Sequence, residues 1–196
     1  DSTAKEANKW LDFILEKQFE DGGWALSGTS ADPDITAMVL QALYNYRDQS
    51  AVATAAEKAF ACLSGMQNAD GGYSSFGDPN SESCSQVIAA CATWGINPDT
   101  DTRFVKNNQS VVDALLAHYV EASAAFKHVA GGTVNGMATD QACYALVAYN
   151  RLVNGKNSLY DMSDVVFEEV AAPEELKAIL SAPEKVENIK GETFNV

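Results

Sequence analysis

The chain has 196 residues, 46% hydrophobic and 20% charged, enough for one domain with a sizeable core or one domain and a tail. Its formal net charge of −14 excludes nucleic acid as a partner, because phosphate binding needs clustered Lys and Arg. No apolar run reaches transmembrane length, and Cys62, Cys84, Cys91 and Cys143 fall in apolar helical stretches, where a reduced thiol acts as a small hydrophobe rather than a disulfide partner.

The first expected element is an amphipathic helix over 2–19, with Trp10, Phe13 and Ile14 on one face and Lys9, Asp12, Glu16 and Lys17 on the other. It runs into Gln18-Phe19-Glu20-Asp21-Gly22-Gly23-Trp24. Asp32-Pro33-Asp34 then supplies an N-cap, a Pro for the first turn and a negative charge at the positive end of a second helix, 33–46, which is apolar nearly all round. A third helix over 50–66 carries Ala56, Phe60, Leu63 and Met66 on one face and ends at Gln67-Asn68-Ala69-Asp70-Gly71-Gly72-Tyr73. The fourth, 81–94, is apolar over 87–92 and stops at Gly95. Helices over 109–121, with Val111, Val112, Leu115, Leu116 and Tyr119 on a face, and over 137–153, before Gly155, complete three pairs. Beyond 164 the pattern fades. Residues 161–196 hold nine acids and three bases, with one short helix expected over 174–180 and a linker-like end over 191–196 that enters a strand.

The organisation is a repeat. The motif Gln-x-x-x-Gly-x-aromatic at Gln18 returns 49 residues later at Gln67, and the same offset carries Thr36 to Ser85. A degenerate third copy runs from Val120 to Phe126, with Ala124 and Ala125 in place of the glycines. The glycines suit a tight helix exit, while Gln and aromatic join neighbouring hairpins. Gln18, Gly22, Trp24, Gln67, Gly71 and Tyr73 are therefore read first as structural. A hydrated helix alternating with one apolar on all sides implies two concentric layers. The expected fold class is all-α, a partial ring of about three helical hairpins over 1–164, followed by an acidic tail over 165–196.

The motif, its Asp-Gly-Gly variants and the inner-helix pattern resemble the α/α-toroid superfamily of prenyltransferase and squalene-cyclase repeats. Asp32-Pro33-Asp34-Ile35-Thr36-Ala37, Gly95-Ile96-Asn97-Pro98, Asp101-Thr102-Arg103-Phe104 and Ser158-Leu159-Tyr160-Asp161-Met162 are most similar to toroid modules of surface proteins from Gram-positive bacteria of the Clostridium group. The resemblance spans roughly residues 2–164. It implies an extracellular or wall-associated setting and kinship of fold with cobalamin carriers. The family's chemistry is not intact. Cyclases use an Asp-x-Asp-Asp acid, where this chain has Asp32-Pro33-Asp34-Ile35. Prenyltransferase zinc sites use Asp-x-Cys and a later His, where this chain has Glu82-Ser83-Cys84 and no His near 136–141; no zinc is expected on Glu82, Cys84, Cys91 or Cys143. A complement-type thioester would need a Gly-Cys-Gly-Glu-Gln run, which no cysteine here has.

These readings point to a non-catalytic binding or scaffold module of a secreted or cell-surface protein, without a cofactor. The alternatives are a terpenoid cyclase or prenyltransferase-like enzyme and a corrinoid-like carrier. The partner is a small molecule, glycan or protein, met where inner-helix N-termini and Asp-Gly-Gly loops converge. The candidate ligand-binding residues are Asp32, Asp34, Glu82, Asp140, Trp24, Tyr73 and His128. A chain that begins at Asp1 reads as an excised or processed piece. Three hairpins form only an arc, so Val39, Leu43, Val87, Ile88, Cys143 or Tyr144 are expected to face an open groove. Upstream repeats, self-association or the tail through Val165, Val166, Phe167 and Leu176 are expected to complete or cover it.

Overall fold

A computed structural model describes residues 2–166, 185–187 and 193–195. The chain divides into two compact units, Asp1–Asp164 and Val165–Val196. The first unit is built from six helices: α1 (Ser2–Glu16), α2 (Pro33–Leu43, extended by a 3-10 turn Tyr44–Tyr46), α3 (Ser50–Met66), α4 (Ser81–Thr93), α5 (Val111–Leu116) and α6 (Gly136–Val153). Helix α4 packs between α2 and α6, while α3 lies against α2 and α1, and α5 against α4. Every residue of α4 is buried, as its all-round apolar and small-residue sequence requires.

The all-α expectation is corrected by short antiparallel ladders. In the first unit β1 (Val105–Lys106) pairs with β2 (Gln109–Ser110), and β3 (Tyr119–Val120) pairs with β4 (Ala125–Phe126). In the second unit β5 (Lys185–Glu187) pairs with β6 (Thr193–Asn195), with Val186 opposite Phe194. The class is mixed helix and strand. The expected tail helix over 174–180, and Phe167 and Leu176, lie outside the described residues.

The third motif copy explains one ladder. Gln18 Nε2 donates to Gly22 O (2.7 Å) and Ala55 O (2.8 Å), and Gln67 Nε2 donates to Gly71 O (2.8 Å) and Phe104 O (2.8 Å). Val120 has no such amide. There the backbone closes the turn through β3 and β4, and the outer helix ends at Leu116 instead of reaching 121. Ala124 still adopts the left-handed backbone, φ 49°, that Gly22 and Gly71 hold at 95° and 84°.

The start of each inner helix is built alike. Asp32, Asn80 and Asn135 cap α2, α4 and α6 by accepting from the amides of Ile35, Ser83 and Ala138. The amide of each capping residue donates to the carbonyl of the motif aromatic before it, Trp24, Tyr73 or Phe126. Those three rings are buried in the core. The repeat thus delivers three helix N-termini, each tied to its own loop.

The groove expectation is also revised. Leu43, Val87 and Ile88 are fully buried, Val39 and Tyr144 are half-buried, and of the six residues expected there Cys143 is the exposed one. A chain of amides crosses α2, α4 and α6 instead. Gln41 donates to Gln86 Oε1 (3.1 Å), Gln86 donates to Gln141 Oε1 (2.9 Å), and the hydroxyls of Tyr144 and Tyr160 both donate to Gln41 Oε1 (2.6 Å). On α1, Leu11 turns into the core, while Trp10 and Phe13 stand about half exposed at 55% and 48%.

Candidate functional site

Three of the expected ligand residues meet in one cleft. Asp34 stands in the first turn of α2 and Glu82 in the first turn of α4. His128 arrives from the loop after β4. Two bonds pin that loop to the start of α4: Ser81 N–H donates to His128 O (3.0 Å) and Ser81 Oγ to Lys127 O (2.8 Å). They bring His128 Nδ1 to 2.7 Å from Glu82 Oε2. Glu82 is 8% exposed, whereas the His128 side chain is 53% exposed, so the pair runs from the core to the cleft surface. Among the described residues Glu82 Oε1 makes no hydrogen bond.

Asp34 is the unsatisfied member. Its Oδ1 is buried without a partner, and so is Ser83 Oγ. Burial raises the Asp34 pKa; the nearby Ser83 hydroxyl offsets part of this without completing a hydrogen bond, and the charges of Asp32 and Glu82 raise it further. An acid in the first turn of a helix gains from the dipole, but that gain requires no empty buried oxygen.

The cleft encloses about 330 Å³. Asp78 and Asn80 form part of its side, and Gln141 enters from α6 with its carbonyl already occupied by Gln86, leaving its amide group to donate. The rim is apolar: Phe76 is 94% exposed and Met137 66%. Phe76 holds a left-handed backbone, φ 54°, in the loop closed by the Ser74 and Pro79 bridge. A fully exposed aromatic in a strained conformation beside a polar cleft is a feature of sites rather than of cores.

The other expected residues are placed elsewhere. Both Asp32 oxygens are occupied, Oδ1 by the Ile35 amide and Oδ2 by the Ser75 hydroxyl, so it serves as a cap next to the cleft. Trp24 and Tyr73 are corrected to core positions: Trp24 Nε1 donates to Ile14 O (2.7 Å) and Tyr73 OH to Leu63 O (2.9 Å), and neither reaches a ligand surface. Asp140 is exposed, beside Cys143 in a separate shallow depression with Asn135 and Thr139. Cys84 and Cys91 are fully buried, and burial pushes the Cys84 thiol up to about 12 and raises Cys91 as well, which holds both protonated.

Sequence reasoning missed Ser75, Phe76, Asp78, Asn80, Met137 and Gln141 as cleft residues. Gln141 had a signal, since it aligns with Gln86 in the repeat. Phe76 had none, because nothing in a loop sequence fixes where its ring points. His118, 8% exposed with Nδ1 unpartnered, was also passed over. Comparisons of the chain with protein-family models, with curated proteins and with solved structures each find no significant match.

Proposed function

We propose that the chain is a non-catalytic binding module of a secreted or cell-surface protein, and that its cleft takes a hydroxyl-bearing ligand the size of a mono- or disaccharide. The observation that carries this reading is the convergence of Asp34, with its buried unpartnered oxygen, and the Glu82–His128 pair beneath an exposed Phe76. Carboxylates accept from hydroxyl groups, while the Gln141 amide and the free His128 nitrogen donate or accept in turn. A sugar ring presents both kinds of partner and an apolar face for the rim aromatic. The secreted setting rests on the resemblance of the repeat to bacterial surface toroid modules.

The test is a thermal-shift panel of neutral mono- and disaccharides against the whole chain. At least one sugar is expected to raise Tm in the parent and to lose that effect in both Glu82→Gln and Asp34→Asn. A panel without effect, or a shift that survives both substitutions, contradicts the reading. Asp34→Asn carries a second signature without ligand. The folded-state pKa of Asp34 is raised, so its charged form costs stability above that pKa, and the cost vanishes as pH falls below the unfolded value of 3.8. The variant should gain about 2 °C in Tm at pH 7 and nothing at pH 3.

One observation favours a second reading, an alkene-protonating enzyme of the cyclase type: Asp34 keeps its proton to higher pH than an ordinary carboxyl. It stands second because the cleft is open and polar, whereas a carbocation needs an enclosed apolar cavity. Turnover of a polyprenyl substrate by the parent, lost in Asp34→Asn, would promote it.

A further inference from the structure

A second cavity, of about 540 Å³, opens between the Asp70-Gly71-Gly72 loop and α5. Its origin lies in a difference between two otherwise matching junctions. At the first, a Cβ on Gly23 would meet Ala31 Cβ at 2.4 Å, Thr36 Oγ1 at 2.6 Å and Cys62 Sγ at 3.2 Å, and Cys62 in turn touches Met66 one turn on, sulfur to sulfur at 3.8 Å. At the second, a Cβ on Gly72 would meet Ala114 Cβ at 3.6 Å, and the residue four further on is His118. The Cβ at Gly23 is met at 2.4 Å and that at Gly72 no closer than 3.2 Å, so the second junction is the more open, with a methyl and an imidazole where the first has a thiol and a thioether.

The wall of that space is weighted toward acceptors and negative charge. Three carboxylates line it, Asp70, Asp78 and Asp113, and no Lys or Arg does. Asp70 Oδ1 and Asp113 Oδ2 are bound by backbone amides, at 3.0 and 2.9 Å, and their second oxygens have no partner among the described residues. The amides of Asn80 and Gln109 spend a donor on the carbonyls of Asp78 and Asn108. His118 completes the wall, nine-tenths buried, with Nδ1 unpartnered. Burial lowers its pKa, against opposing pulls from Glu82 and Asp70, so the imidazole is held neutral. Cys84, Ala117 and Val129 supply an apolar lining.

We infer that this cavity is a second binding site, adjoining the Asp34–Glu82–His128 cleft at Asp78 and Asn80, which line both, and that it takes a small organic ammonium with a short aliphatic body. The ammonium donors meet the free oxygens of Asp70 and Asp113, with the neutral His118 imidazole beside them. The methylenes lie against Cys84, Ala117 and Val129. A neutral sugar brings no charge to balance Asp70, Asp78 and Asp113, whereas an ammonium does.

The probe is 1,4-diaminobutane, titrated calorimetrically into the whole chain at pH 7.5 and low salt, with glucose and inorganic phosphate as comparators. Saturable diamine binding is expected, weakened at least tenfold in His118→Met and in Asp70→Asn. In Glu57→Gln, an exposed acid of α3 that does not line this cavity, it should stay within about twofold. His118→Met installs the residue found at the matching position of the first junction. Asp70→Asn retains an oxygen for the Gly72 amide, so it decides the matter alone if His118→Met loses its circular-dichroism fold. No saturable diamine binding overturns the proposal. So does binding that survives Asp70→Asn or a folded His118→Met, or glucose or phosphate binding that these two variants abolish.

Discussion

The two intact motif junctions have the same backbone bonds and different interiors. Gln18 and Gln67 each reach a carbonyl 37 residues on; Trp24 and Tyr73 each reach back ten residues to an outer-helix carbonyl; Gly22 and Gly71 each sit against a neighbouring backbone. Yet one is closed by Ala31, Thr36 and Cys62, and the other opens into the cavity beside His118. The lesson is that the motif specifies a joint, made of backbone and buried amides, and leaves side chains one helical turn away free to vary. Function can then be added at one junction without touching the repeat.

The sharpest way to break this comparison is at the glycines. A Cβ on Gly71 would lie 2.7 Å from the carbonyls of Gln109 and Ser110, and one on Gly22 would lie 2.6 Å from Lys58 O, both at positive φ. Gly71→Ala and Gly22→Ala should each cost about 3 kcal/mol in urea unfolding. Gly28, with φ +91° and open space around it, should cost only about 1 kcal/mol. Equal costs at all three would show that the close approach is not part of the joint.

The glutamines come next. Gln67 is buried and Gln18 only half-buried, so with the same bonds Gln67→Ala should cost about 2 kcal/mol and Gln18→Ala about 1 kcal/mol. Chemical denaturation of the two variants side by side ranks them, and a reversed order would mean that burial does not set the value of the joint.

The smallest effect concerns pH and separates the two interiors. His118 has a folded-state pKa below its unfolded value of 6.5, so the unfolded chain takes up the proton first. Its contribution to stability is therefore present at pH 7.5 and is lost as pH falls through 6.5 toward the folded pKa. His118→Met should flatten the fall in Tm between pH 7.5 and 5.5. An unchanged slope would place the acid sensitivity elsewhere.

Much of the helical frame was legible in the sequence because hydrophobic period, proline and glycine act locally. Helices α2, α4 and α6 begin within a few residues of their expected starts. What was not legible depends on tertiary satisfaction of backbone groups. The ladders at 105–110 and 119–126 form where a side chain no longer supplies the bond, as Val120 shows, and the left-handed Ala124 hides behind an unremarkable residue. Of the site, Asp34 and Glu82 were legible from helix-start chemistry. The inward path of His128 depends on Ser81, a contact 46 to 47 residues away in sequence that no local rule contains. Trp10 and Phe13, read as a face opposite Lys9 and Lys17, stay at the surface, where Lys9 lies over the Trp10 ring and Lys17 over the Phe13 ring.

The central claim, that the ends of α2, α4 and α6 form a ligand cleft, is tested most directly by amide chemical-shift mapping. The whole chain is titrated with whichever saccharide stabilises it. The account predicts that the largest perturbations cluster at Asp34, Ser83, His128 and Gln141, with Phe76 alongside. Perturbations centred on Trp10 and Phe13, or on the groove lined by Met38, Tyr144 and Tyr160, would contradict it.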